Sequence, residues 1–93
     1  MFMETLSQAI NRFQELGYNE NLSVEQISKL LPSEWIIDDI ARFEGRSNPS
    51  DNSILYAISN ITNKRKILIV NAYGLYGDSQ VNDFVRNVMK TKT

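Results

Sequence analysis

The sequence predicts an α+β fold in one domain, residues 1–93: a three-stranded antiparallel sheet packed with an N-terminal and a C-terminal amphipathic helix, plus one short helix. Three observations lead there. Apolar stripes at helical spacing lie near both ends of the chain: Phe2, Leu6, Ile10, Phe13 and Leu16, then Val81, Phe84, Val85, Val88 and Met89. Two β-prone runs, 54–61 and 66–73, are separated only by the polar 62–65, which is the spacing of an antiparallel hairpin. The second run, KILIVNAY, is apolar on both faces until Asn71, the pattern of a central strand covered on both sides.

Taken in order, residues 1–17 read as the first helix, and Gly17 follows the last apolar position, where a C-terminal glycine stops a helix. Residues 18–21 are turn-like. Ser23 with Gln26 three residues on has the spacing of a capping box, so a short helix is expected over 24–31, ended by Pro32. Residues 35–44 are ambiguous by period. As a helix, Ile36, Ile40 and Phe43 share a face. As a strand, Trp35, Ile37, Ala41 and Phe43 point one way, and Ile36, Asp38, Ile40, Arg42 and Glu44 the other. Residues 45–53, GRSNPSDNS, have the composition of a loop. Gly74 and Gly77 break the last strand, Asp78 or Ser79 caps the final helix, and Lys90 and Lys92 suit its C-terminal dipole. Covering both faces of the central strand requires the two long helices on opposite faces, or a homodimer.

Composition excludes several chemistries. The 93 residues contain no cysteine and no histidine. Disulfides, thiolate nucleophiles, imidazole bases and the usual zinc sites are therefore out of reach. No metal-binding loop and no cofactor motif is present, so neither a metal nor a cofactor is expected. A net charge of −1 argues against nucleic acid as a partner. No apolar run has the length of a membrane span or a signal peptide, so the expectation is a cytoplasmic protein without a membrane partner.

Arg42-Phe43-Glu44-Gly45, Ser47-Asn48-Pro49, Asp51, the run from Ser53 to Ile58, Val70-Asn71-Ala72-Tyr73-Gly74 and Phe84-Val85 resemble a small uncharacterised family of bacterial domains of about this length. Some of its members are labelled phosphoribosylpyrophosphate synthetase. The resemblance covers about half the chain, from Trp35 onward. Members carry a longer strand-like insert where this chain has SVEQISKLL. The resemblance implies that 35–44 is a strand. The synthetase label does not extend to this chain. Its Asp38-Asp39 pair is followed by Ile40 and Ala41, with no glycine or hydroxyl cradle for a phosphate.

The candidate ligand-binding residues are Arg42, Glu44, Asn48, Asp51, Tyr56, Asn71 and Tyr73. Asp38, Arg42 and Glu44 alternate onto one strand face, and neighbouring strands can add Tyr56, Asn71 and Tyr73. Asn48 and Asp51 sit in the 45–53 loop, a recognition loop or a connection with Asx turns. The bland reading is a solvated Arg42–Glu44 pair with tyrosines as core bodies. GLYGDS lacks a lysine and carries Asp78 where an anion would sit, so it is a poor phosphate turn. Lys64-Arg65-Lys66 reads as a solvated hairpin turn. No residue is assigned a catalytic role. The expected function is a non-enzymatic binding or protein-interaction module, its partner a protein or a small polar ligand. The alternatives are a small enzyme or enzyme accessory binding a polar or anionic metabolite around Arg42 and Glu44, and a structural homodimer subunit.

Overall fold

In the computed structural model, which describes residues 4–43, 53–72 and 79–90, the first helix starts at a capping box and not at the first apolar residue. Thr5 has an extended backbone, its hydroxyl accepts from the Gln8 N–H, and the Gln8 side chain accepts from the Thr5 N–H. Helix α1 is therefore Leu6–Glu15, shorter than the 1–17 expected. Its buried residues are Ala9 and Phe13, with Leu6 and Ile10 beside them, while Leu16 is exposed. Gly17 ends it as expected. Gly17 N–H donates to the Gln14 carbonyl and Tyr18 N–H to the Phe13 carbonyl, a Schellman closure with Gly17 at φ +105. The Tyr18 ring then meets Phe13 edge to face at 5.6 Å.

The chain continues through β1 (Glu20–Asn21) into α2 (Val24–Ser28), whose Ser23–Gln26 capping box forms as expected. This helix ends at Ser28, before Pro32. Pro32 instead opens a single 3-10 turn, Pro32–Glu34, consistent with a residue that fixes φ and tolerates only a first helical turn. Strand β2 (Trp35–Phe43) follows, so the 35–44 ambiguity resolves to a strand. Strands β3 (Ser53–Asn60) and β4 (Lys66–Ala72) form the expected hairpin, and helix α3 (Ser79–Lys90) carries the second apolar stripe. Asn60 closes the hairpin. Its side-chain oxygen accepts from the N–H groups of Thr62 and Asn63, and its own N–H donates to the Arg65 carbonyl.

The class is α+β, but the sheet is four-stranded and mixed where three antiparallel strands were expected. Its order is β1-β4-β3-β2, with β1 parallel to β4 and the other pairs antiparallel. The added strand is only two residues long and polar, too short to show a period. Arg65 ties it in place, clasping the Glu20 carboxylate at 2.9 and 2.6 Å.

The helices take opposite faces. Ile54, Tyr56, Ile58, Ile67 and Ile69 pack with Ile27 of α2 and with Val81, Phe84, Val85 and Val88 of α3. Leu55, Ala57 and Leu68 pack with Ala9 and Phe13 of α1. The chain's own helices thus cover both sides of β3 and β4.

Strict alternation fails in β2. Ile37 pairs with Ile58 but Asp39 pairs with Ala57, so Asp38 is an extra residue and a bulge. Before it, Trp35 and Ile37 face the α3 side; after it, Ala41 and Phe43 face the α1 side. The four were expected on one face, and the bulge splits them. It also blunts a nine-residue edge strand, helped by Asp39, whose carboxylate accepts from the Ile40 N–H at 2.8 Å.

Replacing Gly17 by Ala puts a Cβ on a backbone at φ +105 and 3.4 Å from the Lys66 side chain. The expected cost is about 1–2 kcal/mol, read as a lower urea midpoint at unchanged slope. An unchanged midpoint would mean that the Schellman turn does not hold this conformation.

Candidate functional site

Pairing register decides which polar groups meet. Arg42 stands opposite Ile54 on β3, and Ile54 stands opposite Asn71 on β4, so the three form one row across the sheet. Tyr56, paired with Ile40 and Ile69, sits in the next row of the same face. Arg42 and Tyr56 are therefore diagonal cross-strand neighbours, within reach of long side chains. This is the α3 side of the sheet. Tyr56 and Asn71 are each 7% exposed, and Arg42 is exposed at the sheet's edge. The Asn71 side-chain amide donates to the Asn82 side-chain Oδ1 at 3.2 Å, tying β4 to the first turn of α3.

Arg12, Arg65 and Arg86 each pair with a carboxylate, on Glu4, Glu20 and Asp83 respectively. Arg42 makes no ion pair among the described residues. The Tyr56 hydroxyl likewise has no hydrogen-bond partner among the described residues. No fully buried polar side-chain atom there is left unpartnered, so this hydroxyl opens to solvent from a buried ring. Burial pushes the Tyr56 phenol above its ordinary pKa, and the positive charge of Arg42 opposes that shift.

Of the other candidate residues, Glu44, Asn48, Asp51 and Tyr73 lie outside the described residues, as do the Asp78 cap and the GLYG turn. Asp38 was expected on the Arg42 face and is drawn away from it. As the bulge residue it accepts a 2.6 Å hydrogen bond from the Tyr18 hydroxyl, and Tyr18 belongs to the α1-side core. Burial first, then this bond and the charges of Asp38 and Asp39, push the Tyr18 phenol up to about 12. Lys66 sits 5.2 Å over the Tyr18 ring and donates to the Leu16 carbonyl. Period alone did not expose this cluster. Its one sequence signal is an aromatic residue directly after a helix-ending glycine.

An open groove of about 410 Å³ lies between α2 and α3. Ile27, Leu30, Pro32 and Phe84 supply its apolar lining, and Ser28, Gln80, Asp83 and Asn87 its polar lining. Among the described residues no cluster of acidic side chains is arranged to hold a metal ion, and no helix is long and apolar enough to cross a membrane. Comparison with protein-family models, with curated proteins and with solved structures finds no match to this chain.

The Tyr18 phenol gives a pH test. An unfolded tyrosine ionises near 10, so between about pH 10 and 12 the unfolded chain sheds a proton that the folded chain keeps. Stability from this group is complete below pH 10 and is lost as pH rises through that window. Denaturation at stepped alkaline pH is expected to show this decline in the wild type and a shallower one in Tyr18→Phe. Identical slopes would contradict the raised Tyr18 pKa.

Proposed function

We propose that the chain is a non-enzymatic binding module whose recognition surface is the Arg42 end of the α3-side sheet face. One observation carries this reading. An exposed guanidinium without an ion pair among the described residues stands diagonal to a solvent-opening phenol hydroxyl without a hydrogen bond among them. Donors left unmade at a surface between rigid strands are ready to be satisfied by a ligand, at little ordering cost to the protein.

The position of Asp38 weighs against catalysis. An enzymatic reading needs Asp38 or Glu44 as a base next to Arg42. Asp38 is held by Tyr18 on the other side of the sheet, and Glu44 lies outside the described residues. A partner of small polar chemistry suits a surface formed by one cation, one phenol and an amide pair better than a large apolar partner does.

Amide chemical-shift perturbation with a panel of neutral and charged small metabolites tests this. The expected shifts cluster at Arg42, Ile54, Tyr56, Asn71 and Asn82. Shifts confined to the α2–α3 groove, or none with any compound, would contradict the proposal.

A further inference from the structure

We propose that Arg42 and the Tyr56 hydroxyl form a receiving site for a small oxyanion, a phosphate or carboxylate group at the end of a ligand. The inference rests on the binding reading above and names the chemistry that reading leaves open.

The donor set argues for it. Arg42 presents only N–H donors, in a fork that matches two oxygens of a carboxylate or phosphate. The Tyr56 hydroxyl is the adjoining polar group. Burial of its ring raises its pKa, so the hydroxyl stays protonated at neutral pH and can donate. The ring itself is fixed in the α3-side core with Ile54, Ile58 and Phe84, so the hydroxyl is held in place before any ligand arrives. Every other arginine among the described residues has its charge met by a carboxylate of this chain. Among the described residues, Arg42 alone of the arginines has no such carboxylate. Asp38, which alternation would bring to the Arg42 face, is turned to the opposite side by the bulge and occupied by Tyr18. A neutral ligand would leave the guanidinium's charge unmatched in a site flanked by buried surface, whereas an oxyanion matches both donors at once.

The experiment is an amide-shift titration of the full chain with inorganic phosphate, with acetate and with neutral glycerol, at low ionic strength. Wild type, Arg42→Gln, Arg42→Lys and Tyr56→Phe are compared, each first checked by its spectrum for an intact fold. Phosphate, acetate or both are expected to shift Arg42, Ile54, Tyr56 and Asn71, and glycerol is not. The anion that acts identifies whether the natural group is a phosphate or a carboxylate. Arg42→Gln is expected to weaken binding about tenfold or more, and Arg42→Lys and Tyr56→Phe about three- to tenfold, in line with loss of charge-assisted hydrogen bonds. Added chloride is expected to weaken it as well. Anion shifts that persist unchanged in Arg42→Gln overturn the inference. So do shifts of these residues by glycerol with no response to either anion, and in that case the binding reading survives. Silence toward all three probes and toward the wider metabolite panel overturns both.

Discussion

The middle of strands β3 and β4 is buried on both faces, and the rest of the fold follows from that constraint. Leu55, Ala57, Ile58, Ile67, Leu68 and Ile69 are all at most 1% exposed, and no strand of that kind can stand against water. Each large side chain so buried contributes roughly 1.5–3 kcal/mol, whereas the exposed ion pairs of Arg12, Arg65 and Arg86 are screened by solvent and contribute little. Burial therefore decides the architecture, and the ion pairs trim its edges. One helix is needed on each side. On the α1 side, Ala57 and Ala9 are small and fully buried, which leaves Phe13 and Leu55 to fill the layer. On the α3 side the isoleucines of both strands meet the valines and Phe84 of one helix.

What the sequence makes legible is what has a pattern. The two amphipathic stripes repeat at 3.6 residues, and the hairpin and its doubly apolar strand show as unbroken β-prone runs on either side of a polar turn. Punctuation is legible too. Gly17 stops α1 and Ser23 with Gln26 starts α2. Thr5 with Gln8 is the same capping signal, but the apolar stripe runs past it to Phe2 and so hides where the helix begins. Three features have no period to read. Strand β1 is two polar residues that pair only because the turn after Gly17 lays them beside β4. At the end of α2 the Lys29 and Leu30 N–H groups turn to the carbonyls of Gln26 and Ile27, although nothing in SKLL breaks a helix before Pro32. The bulge at Asp38 inserts one residue into an otherwise regular alternation, and it is fixed by tertiary contacts that no local pattern announces.

That bulge shapes the candidate site. Regular alternation would place Asp38 on Arg42's own face, two pleats away, where the two charges would meet through water at little net gain. The extra residue rotates Asp38 to the α1 side, where Tyr18 satisfies its carboxylate, and keeps Arg42 in the row of Ile54 and Asn71. The sequence was informative about the faces of β3 and β4, because Tyr56 and Asn71 alternate cleanly with apolar neighbours. It was misleading about β2, since its residues divide between two faces at a point only the fold defines. Arg42, Tyr56 and Asn71 share a face for a reason visible in register. Glu44, Asn48, Asp51 and Tyr73 belong to segments outside the described residues.

The bulge sets Arg42 on the α3 side with Tyr56 and separates it from Asp38. Nuclear Overhauser contacts of the Arg42 side chain test this most directly, because they report which ring lies beside it without any ligand. Contacts are expected from the Arg42 methylenes to the Tyr56 ring and to Ile54, and from Tyr18 to the Asp38 methylene. Contacts from Arg42 to Leu6, Phe13 or Tyr18 would place it on the α1 side, and would contradict both the register of β2 and the site built on it.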